Sequence, residues 1–492
     1  MSVPYAELLS VFRPEIALVL GAFLALTFDL LLGRRQTLAQ RTLAATTLGL
    51  IALAAAACFT QLHGAPGPAF QGTFILDSLG LATRLGVLVL AALTLALLPG
   101  NSSQPHPAEY VALILFATAG FTLMAVAQQL LVAFLALELA SLSLYILAGF
   151  DKTRRESAEA ALKYFLVGGI AAAFLLFGFS LLYGLTGSIA LPEISRQLGI
   201  QNLTTLHLVA LAMIVVAFGF KAAAAPFHLW APDVYQGAPA PSAALIASAS
   251  KLAGLVLFTR LFWSGAAPAA GSVATIETVP GWLPLLALVA LASLLLGNFA
   301  ALAQANLRRL LAYSAIAHAG ALLLGVMAAG RDGPAPLFYY AATYGLATIG
   351  TFGVIAVLDG HDPAGPRCQN LSDLAGLHRR SPLLAGCLAI FILSLAGIPP
   401  LAGFFGKFAV FAAALKLGAH SMLGWLTFLA IAFSAVALYY YLLILKQAFV
   451  ADASAERAAR VRVPLPAATA LLLAAALLIL LGIFPSLLLR LV

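Results

Sequence analysis

Apolar segments of about 20 residues follow one another along almost the whole chain, and that repetition leaves few folds open. In hydrocarbon every unpaired backbone N–H or C=O is costly, so such segments cross a bilayer as helices that close their own hydrogen bonds. The composition agrees. Of 492 residues, 63% are hydrophobic and 9% charged, more apolar surface than a soluble core can bury. No hydrophilic stretch is long enough to form a separate soluble domain. Spans are expected near 15–32, 41–62, 74–98, 109–126, 129–149, 160–185, 205–228, 241–263, 281–300, 307–328, 335–358, 383–417, 422–446 and 464–489, about fourteen in all. The fold class is therefore an all-α polytopic membrane protein. The first apolar run, Glu15 to Leu32, lacks a basic leader and a small-residue cleavage site and ends at Gly33-Arg34-Arg35, so it reads as a span and not as a secretory signal.

Two spans carry helix breakers. Segment 383–417 is too long for one straight helix and contains Gly397-Ile398-Pro399-Pro400, which predicts two half-helices. Near 221–232, Lys221 is followed by Pro226 and Pro232 around His228. Proline removes a donor and clashes with the preceding turn, and in a membrane the freed carbonyls must find protein or water. Paired broken helices in corresponding positions of two halves point to an inverted-repeat transporter with its ion site at the break. Lysine precedes proline in one break and follows it in the other, as an inverted relation allows.

Loop charge sets orientation. With both termini outside, one set of loops holds fifteen of the 26 Lys and Arg, among them Arg34, Arg35, Arg154, Arg155, Arg308, Arg309, Arg379, Arg380 and Arg457. The opposite loops hold five (Arg13, Arg196, Arg331, Lys416, Arg490), and six lie within spans (Arg84, Lys163, Lys221, Lys251, Arg260, Lys407). This bias supports an even number of spans.

The isolated charges are the clearest functional signal. Lys221, Lys251, Lys407 and Glu138 stand alone in apolar runs. A charge at the bilayer centre costs about 2.5–3.5 kcal/mol on insertion scales, so such groups face protein or water and mark ion or proton routes. Burial disfavours the charged form of an amine, which makes proton loading and release possible. The plain alternative is a static lysine paired with a carboxylate. Glu138 is the natural partner of Lys221: at an effective dielectric near 20, unit charges about 4 Å apart interact by roughly 4 kcal/mol. His228 shares a face with Lys221 if the helix continues through Pro226. Lys163 lies one turn after Glu159, which an exposed i,i+4 pair explains. Lys251 has Ser248 on its face, as a hydrated wall would. His318 follows Ser314 by one turn and is either a proton carrier or a hydrogen-bonded core residue. Tyr439, Tyr440 and Tyr441 beside Lys446 read as an interfacial aromatic belt, and Asp77 and Arg84, seven apart, as a structural pair.

Cys58, Cys368 and Cys387 have no CxxC or His-paired spacing, so zinc, haem and iron–sulfur ligation are not expected. No Walker, dinucleotide-binding or nucleophile-elbow pattern is present. The basic residues sit in short loops and form no stripe, which argues against nucleic-acid binding.

Taken together, FGFKAAAAPFHLWAPDVYQGAPAPSAALIASASKLAG, LALELASLSLYIL, AALKYFLVGG, NLRRLLAYSAIAHAG and LAGIPPLAGFFGKF resemble the antiporter-like membrane subunits of bacterial NADH:quinone oxidoreductase (respiratory complex I), in the same order and over nearly the whole chain. The PDVYQGAP wording, the length and Lys407, where subunit M looks to have glutamate, resemble the subunit N family more than L, M or the Mrp antiporters. The resemblance implies an antiporter-like fold of fourteen helices with two inverted five-helix repeats. Residues 1–108 would hold helices 1–3, 109–263 the first repeat, 281–447 the second and 464–492 the last helix. It implies a proton path with Glu138 and Lys221 as a coupled pair and Lys163 near it. Lys251 would be the central relay, His318 a link and Lys407 the terminal lysine. Gln236 stands where the family usually shows glutamate. The implied partners are other complex I membrane subunits (M and small membrane subunits) and the bilayer of the bacterial plasma membrane, with both termini on the periplasmic side. NADH, FMN, iron–sulfur clusters and quinone would belong to partner subunits, with no cofactor bound by this chain. The rival readings are a Mrp-type cation/proton antiporter subunit and a membrane subunit of a hydrogenase- or ferredoxin-linked relative.

Overall fold

The computed structural model describes residues 5–62, 66–99, 105–273, 279–361, 367–418, 421–452 and 459–492; Arg457 lies outside them. In chain order the helices are α1 Tyr5–Leu31, α2 Leu38–Gln61, α3 Ser78–Ala96, α4 Pro107–Val126, α5 Leu130–Ala148, α6 Arg155–Thr186, α7 Leu191–Ile200, α8 Thr205–Ala222, α9 Trp230–Gly237, α10 Ala240–Ala247, α11 Ala249–Arg260, α12 Trp282–Leu302, α13 Leu307–Asp332, α14 Ala335–His361, α15 Leu377–Arg380, α16 Pro382–Ala396, α17 Ala402–Lys416, α18 Met422–Phe449, α19 Leu465–Ile483 and α20 Ser486–Leu489. Local chemistry sets several starts. Asp77 accepts from the Gly80 N–H at 2.8 Å ahead of α3, and Asn306 accepts from the Arg309 N–H at 3.0 Å ahead of α13.

Among the described residues, thirteen helices are long and apolar enough to cross a membrane, α10 and α11 counting as one stretch through Gly265. Segment 383–417 is, as expected, broken into two short helices, α16 and α17, separated by a non-helical Gly397–Leu401. Gly397, at φ +86, ends α16 in the left-handed conformation.

Two expectations fail in instructive ways. The span expected over 205–228 stops at Ala222, because Ala223 turns left-handed (φ 56). The span expected over 241–263 is interrupted at Ser248, a break with no proline in it. There φ −116 and ψ −84 leave the helical region, and the Ser248 hydroxyl donates to the Ala244 carbonyl at 2.6 Å. A serine hydroxyl bonded four residues back competes with the helical ladder and bends it.

Burial sorts the helices into a centre and a shell. The most apolar 18-residue stretch of Ala240–Gly265 is wholly buried and those of α13 and α14 are 94% buried, whereas those of α6 and α18 are 33% buried. Leu135, Leu142, Ile146, Phe165, Ile170 and Phe177 of α5 and α6 are exposed, as an outer shell facing lipid or a neighbour would be. Two small elements were not anticipated. One is an antiparallel pair, β1 Gly67–Ala69 with β2 Phe74–Leu76. The other is α7, which buries Leu191, Ile194 and Leu198 on one face.

The pairing expected between Asp77 and Arg84 does not form. Asp77 sits before the first turn of α3 and its carboxylate takes the Arg260 guanidinium at 2.5 and 2.8 Å. Arg84, fully buried, reaches Glu15 of α1 at 2.9 Å. Each arginine thereby pins α3 to a different neighbour.

Candidate functional site

The isolated lysines lie at the breaks or on the central helices. Lys221 occupies the last turn of α8 and is 4% exposed. The carbonyls that the break frees are met from within the protein: the Trp230 indole N–H donates to the Phe220 carbonyl at 3.2 Å. The Ser293 hydroxyl of α12 accepts the Ala225 N–H at 2.8 Å. This is the satisfaction a broken membrane helix requires.

The Lys221 amine donates to the Ser141 hydroxyl at 3.3 Å, and Ser141 lies one turn after Glu138 on α5. Among the described residues Glu138 forms no ion pair within 4.0 Å, and its Oε1 is buried without a hydrogen-bond partner. The lysine stem runs across α11 at Gly254, where a Cβ would stand 2.9 Å from the Lys221 Cγ. Only glycine leaves that passage open.

Gly254 is one turn from Lys251 on the same helix. Lys251 is 3% exposed and donates to the Ala315 carbonyl of α13 at 2.7 Å. Its amine lies 5.3 Å from the centre of the Tyr344 ring, within cation–π range. Ala315 is in turn one turn from His318. The His318 ring is held from both sides, Nδ1 by the Tyr340 hydroxyl at 2.7 Å and Nε2 by the Tyr441 hydroxyl at 3.0 Å; Tyr441 also bonds Ser314. His318 and Lys407 line one small cavity of about 20 Å³ whose other polar lining residues are Asn298, Tyr340, Ser434 and Tyr440. That volume is about enough for a single water.

Lys407, 8% exposed, donates to the Ala396 carbonyl at 3.0 Å and so caps the end of α16. A cation at a helix C-terminus complements the helix dipole. It also borders a larger cavity of about 350 Å³ walled by Phe404, Phe408 and Phe411. The first three links of this series each use two residues three apart on one helix (138 and 141, 251 and 254, 315 and 318), the spacing that places side chains one above the other, while His318 and Lys407 meet across the small cavity.

His228 and two of the three tyrosines sit differently from expectation. His228 is buried, but the helix ends six residues before it, so its i,i+7 relation with Lys221 is lost; its Nδ1 has no partner among the described residues. Lys163 forms the exposed i,i+4 pair with Glu159 that its spacing predicts, at 2.6 Å, and also bonds Asp233 at 2.7 Å, with its side chain 42% exposed. Of the three tyrosines read as an aromatic belt only Tyr439 is exposed. Tyr440 and Tyr441 turn inward, Tyr440 donating to Asn298 at 3.3 Å, because successive helical residues point about 100° apart. Gln236 accepts from Arg309 at 3.1 Å and donates to Gln369 at 3.5 Å. Sequence reasoning missed Ser141, Asn298, Tyr340, Tyr344 and Asp233. A polar residue inside an apolar span was the available signal for the first four.

A family model described as NADH:quinone oxidoreductase/Mrp antiporter, TM, matches residues 127–434. "NADH-quinone oxidoreductase subunit N 2" of Acidobacterium capsulatum is 48% identical, covering 99% of both chains. A chain of respiratory complex I from Thermus thermophilus, solved with bound aureothin, superposes with a TM-score of 0.77 at 33% identity, covering 97% of this chain and 98% of that one. The Mrp complex of Dietzia sp. DQ12-45-1b matches with a TM-score of 0.79 at 21% identity over 98% and 96% of the two chains, a likeness of fold alone. The match to the family model over most of the chain, and the end-to-end identity with a subunit N, make this chain a member of the NADH:quinone oxidoreductase/Mrp antiporter family of membrane subunits.

Proposed function

We propose that the chain is the N subunit of a bacterial NADH:quinone oxidoreductase and moves protons along Glu138, Lys221, Lys251, His318 and Lys407, with Lys163 and His228 at the approach to Lys221. The observation that carries this reading is the bonding of the three buried lysines. Lys221, Lys251 and Lys407 each donate to a neutral acceptor: the Ser141 hydroxyl, the Ala315 carbonyl and the Ala396 carbonyl. Such an amine keeps its hydrogen bond whether or not it carries the extra proton, so neither state strands a buried acceptor.

In this reading Glu138 biases the charge of Lys221 through Ser141. The proton then passes across α11 to Lys251, along α13 to His318, and through the small cavity to Lys407. Halves 109–263 and 281–447 act as two inverted repeats, each with its lysine at a broken helix. Electron carriers (NADH, FMN, iron–sulfur clusters and quinone) reside in partner subunits. Subunit M and the small membrane subunits flank this one in the bacterial plasma membrane, with both termini outside. The chain acts in the translocase without a redox site of its own. Each proton moved against the potential requires about 2.3 kcal/mol per 100 mV, which only tight coupling to those partners can supply.

The test is Lys221→Ala in membrane vesicles, recording NADH:quinone turnover and acidification together with the amount of assembled complex. Loss of both activities with assembly intact is expected. Normal turnover with full pumping would make Lys221 a structural lysine and end this reading.

A further inference from the structure

Helix α9, the second half of the first broken helix, is tied to its neighbours by two kinds of contact. At its start Trp230 stacks on Tyr164 of α6 with ring centres 4.4 Å apart and planes 13° from parallel. The same indole donates to the Phe220 carbonyl, the residue before Lys221. One turn on, the Asp233 carboxylate bridges two helices, with Oδ2 2.7 Å from Lys163 of α6 and Oδ1 2.6 Å from Arg309 of α13. At the end of α9, Gly237 lies flush on α6, since a Cβ there would stand 2.2 Å from the Glu156 carbonyl. Whatever moves α9 therefore moves Trp230, and Trp230 holds the end of the helix that carries Lys221.

We propose that Asp233 is a positioning residue for proton loading of Lys221: its two ion pairs hold α9 between α6 and α13 and thereby keep Trp230 and the Lys221 end of α8 in register. This role rests on the proton path argued above. The exposure of the three groups separates a latch from a strut. Lys163, Asp233 and Arg309 have side chains 42%, 26% and 30% exposed, so water can replace either partner and the bridge can open and close. Burial pushes the Asp233 carboxyl up, but Lys163 and Arg309 outweigh it and hold it below the usual carboxylate range. The bridge is charged throughout neutral pH. Gln236 is uncharged, so of the two α9 groups that Arg309 bonds only Asp233 attracts it as an ion.

The experiment uses the whole complex in membrane vesicles carrying Asp233→Asn, with turnover expressed per assembled complex and measured in light and heavy water. Misplacing a positioned group by about 1 Å can cost up to about 10²-fold, and a loss of about tenfold is expected here. The solvent isotope effect should rise as proton loading becomes limiting, and Asp233→Glu should restore most of the rate. A purely structural salt bridge would lower only the amount of complex, leaving turnover per complex and the isotope effect unchanged; that result overturns the proposal. If Asp233→Asn does not assemble, Arg309→Gln decides by the same two readouts. Lys221→Ala run in parallel separates the two failures. An inactive Lys221→Ala beside a normal Asp233→Asn ends only the positioning role, whereas a fully pumping Lys221→Ala ends the path itself.

Discussion

The buried charges of this protein form two populations. In the first the cation is arginine and the partner a carboxylate: Arg84 with Glu15 at 2.9 Å, Arg308 with Asp359 at 2.5 Å, and Arg367 with Asp151 at 2.5 Å, every side chain 9% exposed or less. Along the central axis the cation is lysine, and among the described residues none of Lys221, Lys251 and Lys407 forms an ion pair within 4.0 Å. The difference lies in what each arrangement permits. A guanidinium stays protonated at any accessible pH, so these arginine pairs are permanent. An amine donating to a carbonyl or hydroxyl can give up its proton without leaving its acceptor bare. Burial alone does not make a charge functional; the chemistry of its partner does.

The sharpest way to break that comparison is to remove one member of a permanent pair. Arg308 is fully buried and also donates to the Cys368 carbonyl at 2.9 Å and the Ala238 carbonyl at 3.2 Å. Arg308→Ala would leave the buried Asp359 carboxylate without its cation and the Cys368 carbonyl without its arginine donor, a loss of about 3–5 kcal/mol. Thermal unfolding of the purified complex and its yield should both fall. Replacing both partners by apolar residues, Arg308→Met with Asp359→Leu, should recover much of the loss. A complex of normal stability carrying Arg308→Ala would show that the buried arginine pairs hold nothing together.

The opposite outcome is expected on the axis. Lys251→Met keeps the length of the side chain and removes a buried amine, so stability should change by less than about 1.5 kcal/mol. Turnover and acidification should fall by at least about tenfold, equivalent to about 1.4 kcal/mol or more on the barrier. Thermal unfolding and vesicle pumping measured on the same preparation check both halves. A variant that unfolds but pumps normally per complex would move Lys251 into the structural population.

How much of this was legible in the sequence follows from the same physics. Hydropathy reports length, so nearly every span and the break at Gly397–Pro400 could be read directly, and lone lysines in apolar runs stood out because their cost is large. Rotation about a helix axis could not be read for α13 and α14, which are buried almost all round and have no polar face to contrast with an apolar one. That is why Tyr340, Tyr344 and the neighbours of His318 were missed. Tyr440 and Tyr441 belong to α18, which has an exposed face, and were read together with their neighbour Tyr439, which alone lies on it. The break at Ser248 has no proline to announce it; its cause is one hydroxyl bonding back to Ala244. Asp77 looked like the partner of Arg84 because both lie on one stretch of chain, but arginine is long enough to reach another helix, and Arg84 bonds Glu15, sixty-nine residues away.

A third kind of charge calibrates both populations. Arg379 and Asp452 meet at 2.9 Å with side chains 73% and 80% exposed. The pair has the same chemistry as Arg308–Asp359, but water competes for both groups and salt screens them, so it contributes about 0–1 kcal/mol. Arg379→Ala should leave unfolding temperature, turnover and acidification close to those of the unaltered complex, and the small residual effect should vanish at high salt. If Arg379→Ala instead destabilised the complex as much as Arg308→Ala, burial would not be what makes an arginine pair permanent. The contrast between the arginine pairs and the axial lysines would then have to rest on the identity of the cation alone. If the two arginines differ as expected, the ranking runs from a buried ion pair, through a buried lysine on a neutral acceptor, to an exposed ion pair. Stability tracks the first, proton movement the second, and neither depends on the third.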